Sequence, residues 1–294
     1  MNRASTLVRR ELWEHRGPFL ILPIVLFGLV TLACLILGII VGGGFTDIHP
    51  SGSADPAGII QLGLGISAAF FTPYAIMLLF FLPHSLQQDR QDKSVLFWRS
   101  LPVTDTATVA AKVAMAGLLG AFLLWIAIIA AHLIVLFALA CAASARGAAG
   151  FSVFTSPVAL LGSWGLIAWS FIVQALWWLP YYGWLLFCSA ATRRFALLWA
   201  VLPLLIIGFF EMIVLRSTYF FNFVGSHLGF SPIFPNGGIG VNTTTAFTDN
   251  ANSLGAGTLW VTHFLALPSM WIGVGIGLVL LVLAVIARRY SATA

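Results

Sequence analysis

Long apolar runs separated by short polar stretches dominate the chain. A bilayer hydrocarbon core about 30 Å thick needs roughly 20 apolar helical residues to cross it. Runs of at least this length predict six transmembrane helices, at residues 18–41, 59–82, 109–140, 157–188, 195–215 and 264–287. The pattern therefore predicts an all-α polytopic membrane protein.

The third and fourth predicted spans are longer than one crossing requires. A span of that length tilts, kinks or projects beyond the bilayer. Pro180 supplies a cause for a kink in the fourth span, because proline removes a backbone donor and its ring clashes with the preceding turn.

Composition supports the membrane interpretation. Of the 294 residues, 60% are hydrophobic and 8% are charged, whereas soluble domains carry roughly 25% charged residues. So few charges cannot cover the surface of a water-soluble globule of this size. The net charge of +5 is explained by its distribution along the chain, and we expect no nucleic-acid partner.

The lysines and arginines define an orientation. With six crossings, twelve of the 14 fall on one side: Arg3, Arg9, Arg10, Arg16, Arg90, Lys93, Arg99, Lys112, Arg193, Arg194, Arg288 and Arg289. Arg146 and Arg216 fall on the other. Because cytoplasmic loops retain positive charge, both termini are predicted to be cytoplasmic, in a bacterial inner membrane.

Three polar segments flank the predicted spans. Residues 1–17 form a predicted interfacial helix, with the membrane domain covering residues 18–294. Residues 84–106 form a charged cytoplasmic loop between spans two and three. Residues 216–263 form a long external segment between spans five and six, whose apolar part either lies in the interface or dips back into the membrane.

Catalytic motifs are absent from the sequence. A phosphate-binding loop needs Gly-Lys-Ser/Thr, but the two lysines, Lys93 and Lys112, follow Asp92 and Ala111. The six histidines are too dispersed for a zinc helix, and no metal site is predicted. We therefore expect no enzymatic activity in this chain, and any ATP hydrolysis must occur on another subunit.

The cytoplasmic loop carries the most informative motif. Dense mixed charges lead into the apolar set 95–98, and Pro102 ends any helix before Thr104 or Asp105 caps the next one. Two interpretations remain open on physical grounds. The aromatic residues either dock into a groove on a partner protein or anchor an interfacial helix at the bilayer edge.

The run Asp89-Arg90, followed by Ser94-Val-Leu-Phe-Trp-Arg-Ser-Leu-Pro-Val-Thr104, resembles the cytoplasmic loop of permease subunits of type-2 ABC exporters. The layout of surface helix, six spans, this loop and a long external segment is also similar. The resemblance implies a coupling helix that contacts an ATP-binding subunit carrying ATP and Mg²⁺. It also implies a second permease subunit, identical or not. The implied coupling positions are Asp89, Arg90, Asp92, Lys93, Phe97, Trp98, Arg99 and Pro102.

Polar and aromatic residues inside the spans are candidates for a substrate path. Glu211, the single acid within a predicted span, lies about 27 Å along the fifth helix, near the outer interface. Gln174 is deeper, and the commoner role of such a residue is an interhelical hydrogen bond. Trp177 and Tyr181 belong to an aromatic cluster that serves either packing or a substrate-facing wall.

Two other functional classes remain open. An ATP-independent secondary transporter or channel is disfavoured by the few charges within the spans and by the lack of an internal repeat. A membrane scaffold or sensor would use the charged loop as its docking site. The sequence does not indicate the cargo.

Overall fold

A computed structural model describes residues 11–40, 56–91, 104–145, 151, 154, 157–192, 194–228 and 253–291. Its α-helices are α1 (Leu22–Ile40), α2 (Pro56–Gln91), α3 (Asp105–Ala114), α4 (Gly120–Ala145), α5 (Pro157–Trp177), α6 (Leu179–Ala191), α7 (Ala196–Phe210), α8 (Tyr219–Leu228), α9 (Ser253–Ala266) and α10 (Pro268–Ser291). Three π-helical turns, Gly17–Ile21, Met115–Leu119 and Glu211–Leu215, adjoin α1, α4 and α7.

Six segments of the described residues are long and apolar enough to cross a membrane. They are Gly17–Cys34, Leu62–Asp89, Asp105–Ala145, Pro157–Trp177, Ala196–Leu215 and Pro268–Tyr290. We refer to them as spans one to six. The predicted all-α polytopic architecture is therefore confirmed.

The kink predicted near Pro180, within residues 157–188, is present. α5 ends at Trp177 and α6 begins at Leu179, with Trp178 leaving the helical conformation at φ −89° and ψ 2°. Pro180 lies in the first turn of α6, where its missing N–H costs no hydrogen bond. Pro268 likewise opens α10 after the break at Leu267.

A π-helical turn divides the long third span. The turn Met115–Leu119 separates α3 from α4, and the Tyr74 hydroxyl donates to the Ala116 carbonyl within it. Since a π-turn disturbs the regular hydrogen-bond ladder, this carbonyl accepts a bond from the neighbouring span two.

Span six packs closely against α6. The backbone of Gly277 approaches that of Leu179 and Pro180, and a Cβ added at Gly277 would lie 2.7 Å from the Leu179 carbonyl carbon. Gly183, about one turn further along α6, approaches the carbonyl oxygen of Gly277. The Gly273-x-x-x-Gly277 pattern thus permits a close helix approach within this chain.

Two residues at the start of the described chain follow the pattern of the predicted N-terminal helix. Glu11, which interrupts the apolar face of that helix, has 2% of its surface exposed, and Trp13, which lies off that face, is 63% exposed. Residues 1–10 lie outside the described part, so the interfacial helix at 1–17 stays a prediction.

Candidate functional site: an ion cluster where four helix ends meet

A fully buried lysine lies where several helix ends converge. Lys112 has no exposed surface, and its Nζ lies 3.0 Å from Oε2 of Glu11 and 3.6 Å from Oδ2 of Asp89. Glu11 precedes span one, Asp89 is near the end of α2, and Lys112 lies in α3. The ammonium therefore joins three elements that are distant in sequence.

Arg288, in the last turn of α10, extends this arrangement. Its Nη1 donates to Oδ2 of Asp89 at 3.3 Å, and its Nε donates to Oδ1 of Asp105 at 3.1 Å. The Nε of Arg289 lies 3.9 Å from Oδ2 of Asp105, with 63% of its side chain exposed. We call this set the ion cluster: Glu11, Asp89, Asp105, Lys112, Arg288 and Arg289.

Opposite formal charges balance within the ion cluster. Three carboxylates face three cations, and each carboxylate lies within 4.0 Å of at least one cation. Removing an ion from water costs several kcal/mol, and close pairing with an opposite charge offsets this cost. The arrangement therefore has the pairing that buried charges require.

Helix dipoles favour some members of the ion cluster and oppose one. Asp105 is the first residue of α3, and Arg288 and Arg289 are in the last turn of α10, where each charge opposes the local partial charge of its helix. Asp89 lies near the carboxyl end of α2, where a negative charge is unfavourable. Its two cationic neighbours, Lys112 and Arg288, compensate.

Local sequence explains how α3 presents Asp105. Thr104 has extended backbone angles, and its Oγ1 accepts a hydrogen bond from the amide of Ala107 at 3.2 Å. This confirms the cap predicted at Thr104 or Asp105. A threonine cap fixes where the helix begins and leaves the Asp105 carboxylate available for Arg288.

A serine also ties the end of α2 to α6. The Ser189 hydroxyl accepts hydrogen bonds from the amides of Leu86 and Gln87, each at 3.1 Å. These amides follow Pro83 within α2. The last two turns of α2, which carry Asp89, are thus fixed on two sides.

His15 borders the ion cluster. Its Nε2 lies 3.7 Å from Oε2 of Glu11, and its ring packs edge-on against Phe81 with centroids 5.0 Å apart. Burial, and next the charge of Lys112, lower the pKa of His15 below 6.5. The neutral imidazole is therefore favoured.

Glu11, Glu14 and His15 offer three possible metal-ligating atoms within 4.8 Å of one another. The Lys112 ammonium, however, already contacts the Glu11 carboxylate at 3.0 Å. A positive charge at that distance opposes a second cation, so the geometry favours an ion pair here.

Most of the predicted coupling positions lie outside the described residues, namely Asp92, Lys93, Phe97, Trp98, Arg99 and Pro102. Arg90 belongs to α2, but its side chain is not described. Asp89 is the predicted coupling residue whose side chain the structure describes, and it lies within the ion cluster. The proposed coupling role of all eight residues stays a prediction.

Of the predicted substrate-path residues, Trp177 and Tyr181 contact the external segment. The Trp177 indole donates to the Ser226 carbonyl at 3.1 Å, and the Tyr181 hydroxyl donates to the Val224 carbonyl. The ring of His227 stacks on Trp177 with centroids 4.3 Å apart and planes 7° apart. These contacts hold α8 against α5 and α6.

α8 lies beside the spans rather than beyond their ends. Its Phe221 ring packs against Phe209 with centroids 5.8 Å apart and covers Gly208, both residues of span five. His227 lies against Gly273 of span six. Both positions that the sequence leaves open for this part of the external segment, in the interface or dipping back into the membrane, stay predictions.

Glu211 anchors the beginning of α8. Its Oε1 accepts hydrogen bonds from the Ser217 hydroxyl at 2.7 Å and from the Tyr219 amide at 2.9 Å, and its Oε2 accepts one from the Phe220 amide at 2.8 Å. A carboxylate at the first amides of a helix acts as a cap and favours the positive end of the helix dipole. The carboxylate thus has a structural role, and a substrate-path role stays a prediction.

Gln174 is buried in α5, with 1% of its surface exposed. A separate apolar groove of about 220 Å³ lies between spans three and four, lined by residues that include Gly117, Phe122, Trp125 and Phe171. None of the four predicted substrate-path residues lines this groove. The predicted path and this groove are therefore different regions of the molecule.

Sequence reasoning missed the ion cluster as a unit. It used Lys112, Arg288 and Arg289 as markers of orientation, treated Glu11 as an interruption of an apolar face, and considered Asp105 as a helix cap. The available signal was the presence of carboxylates beside these basic residues at the predicted cytoplasmic ends of the spans. In a chain with nine acidic residues, three acids at such ends indicate pairing.

A comparison of the chain with protein-family models, curated proteins and solved structures found no match.

Proposed function

We propose that this chain is the membrane-spanning permease subunit of an ATP-driven exporter of the type-2 ABC class. It would form the substrate path and bind a separate ATP-binding subunit through residues 84–106. ATP and Mg²⁺ would bind that partner, and a second permease subunit, identical or different, would complete the path. The chain itself would contribute binding and movement rather than chemistry.

One observation carries the proposal. Asp89 and Asp105 bracket the segment that resembles a coupling helix, and both carboxylates bind Arg288 at the end of span six. Asp89 also faces Lys112, which contacts Glu11 before span one. A partner pulling on the bracketed segment would therefore act on four helix ends at once, as coupling requires.

The first experiment is purification of the tagged chain from its native host in mild detergent, followed by identification of the co-purified proteins and an ATPase assay. The expected result is a stoichiometric partner with a phosphate-binding loop and ATP hydrolysis by the complex. A preparation without such a partner, even after crosslinking, would contradict the proposal.

A variant pair tests the assigned contact. Phe97→Ala combined with Trp98→Ala should abolish capture of the ATP-binding partner while the chain still inserts in the membrane. Trp13→Ala is the matched control, because it removes an aromatic side chain that is 63% exposed on the predicted cytoplasmic side. Undiminished capture and transport in the double variant would refute the coupling assignment.

Transport assays separate the other classes. Flux that survives ATP depletion but stops when the proton gradient collapses would identify a secondary transporter. Normal assembly with no flux of any tested cargo would identify a scaffold or sensor. Either result would replace the exporter proposal.

A further inference from the structure

The two hydrogen bonds of Arg288 come from different N–H groups of its guanidinium. Nη1 reaches Asp89 of α2 and Nε reaches Asp105 of α3. A planar fork with several fixed donors can hold two carboxylates in defined directions, whereas a lysine ammonium is a single flexible point charge. The ends of spans two and three thus share one rigid connector on span six.

Stability alone does not account for such a connector. Buried ion pairs are often no more stabilising than well-packed apolar residues of similar volume, because desolvation opposes their attraction. In a chain with 8% charged residues, three acids and two nearly buried bases meet at one junction. What this arrangement provides beyond apolar packing is a defined relative position of the helix ends.

We infer that Arg288 is a positioning residue that holds the ends of spans two and three on span six, so that these three helix ends move as one unit. Lys112 adds the N-terminal segment to the unit through Glu11. The inference deepens the proposed function by identifying where force from a bound partner would pass into span six, but its first test does not need that function.

The test measures amide hydrogen exchange of the full-length chain in lipid nanodiscs. Arg288→Gln should raise the exchange rates severalfold in two peptides at once, 84–91 and 104–112, because both lose their shared partner. Arg289→Gln is the matched control, and should raise both rates much less than Arg288→Gln does, because that side chain is 63% exposed and its Nε lies 3.9 Å from Asp105. Equal exchange in Arg288→Gln and wild type would overturn the inference.

Two further variants separate positioning from general destabilisation. Arg288→Lys keeps the charge but loses the planar fork of donors, so it cannot hold both carboxylates equally well. Compared with Arg288→Gln, it should restore protection more in one of the two peptides, 84–91 or 104–112, than in the other. Asp105→Asn should raise exchange at 104–112 while 84–91 keeps its wild-type rate, because Asp89 retains Arg288 and Lys112. A rise spread equally over these peptides and 157–177 would show global loosening and overturn the inference.

The inference about Arg288 and the exporter proposal can be refuted independently of each other. If the ATP-binding partner is captured, Arg288→Lys should lower the kcat of ATP hydrolysis by the complex severalfold with KM for ATP unchanged, because ATP binds elsewhere. An unchanged kcat would show that force from the partner does not pass through Arg288 into span six, and would overturn that part of the inference while leaving the exporter proposal intact. If no partner is captured but the exchange pattern holds, the positioning role stands and the exporter proposal fails.

Discussion

Arg288 donates a hydrogen bond through Nη1 to Oδ2 of Asp89 at 3.3 Å, although 199 residues separate the two in the chain. This contact joins the end of the last span to the end of the second. It requires the bundle to be assembled, because neither residue has a local reason to meet the other. The ion cluster therefore depends on tertiary packing and supplies a sensitive probe of it.

Removing Lys112 should destabilise the chain strongly. Lys112→Met leaves the carboxylates of Glu11 and Asp89 buried with less compensating charge, and breaking a buried pair in this way costs about 3–5 kcal/mol. The measurement is the free energy of unfolding in detergent, or the Tm where unfolding is irreversible.

A second substitution tests whether charge is the cause. Adding Glu11→Gln to Lys112→Met removes one uncompensated carboxylate and should recover part of the lost stability. Because the two side chains are in contact, their effects should be non-additive. Additive losses would show that Lys112 contributes through packing instead of pairing.

The close approach of span six and α6 predicts a contrast between two glycines in the same helix. A Cβ at Gly277 would lie 2.7 Å from the Leu179 carbonyl carbon, whereas a Cβ at Gly275 would have no neighbour within 4 Å. Gly277→Ala should therefore cost about 1–3 kcal/mol through overpacking. Gly275→Ala should be neutral or slightly stabilising, because alanine favours the helix.

Thermal unfolding of the two glycine variants in the same detergent provides the comparison. Equal Tm values would contradict the packing of α6 on span six. Because the contact lies inside one chain, the loss at Gly277 should not depend on protein concentration.

Features encoded locally could be predicted from the sequence. The six spans follow from apolar run length, the break near Pro180 from proline stereochemistry, and the beginning of α3 from the Thr104 cap. The partners of Lys112 and Arg288 could not be predicted, because their contacts depend on which helix ends meet. The same limitation explains why Glu211 was considered without its hydrogen-bonded partners on α8.

Because Glu211 caps the beginning of α8, replacing it should loosen this helix locally. In Glu211→Gln one of the two acceptor oxygens is replaced by an amide NH₂, which faces a donor instead of accepting from it. Amide exchange across 219–228 should therefore rise. Ser217→Ala removes one of the three hydrogen bonds and should cause a smaller rise.

Thr218→Val is the neighbouring control for the cap, because the Thr218 hydroxyl contacts the exposed side chain of Asn222 and not Glu211. It should leave exchange at 219–228 close to wild type. If Glu211→Gln also leaves this exchange unchanged, Glu211 does not hold α8 in place.

The neutral state of His15 predicts a defined dependence of stability on pH. Because its folded-state pKa lies below the ordinary 6.5, the unfolded chain binds more protons than the folded chain between the two values. Stability then rises with pH in this window. The contribution of His15 is complete above 6.5 and is lost as the pH falls from 6.5 through the folded-state pKa.

His15→Gln isolates this contribution, since glutamine does not titrate and nearby carboxylates titrate in both proteins. The difference in unfolding free energy, wild type minus variant, should be largest near pH 8 and should decrease as the pH is lowered to 5.5. Burial is the first cause of the shift and the Lys112 charge the second, so Lys112→Met should make the decrease smaller without abolishing it. A difference that is constant with pH, or that grows on acidification, would show that the folded chain does not favour the neutral imidazole.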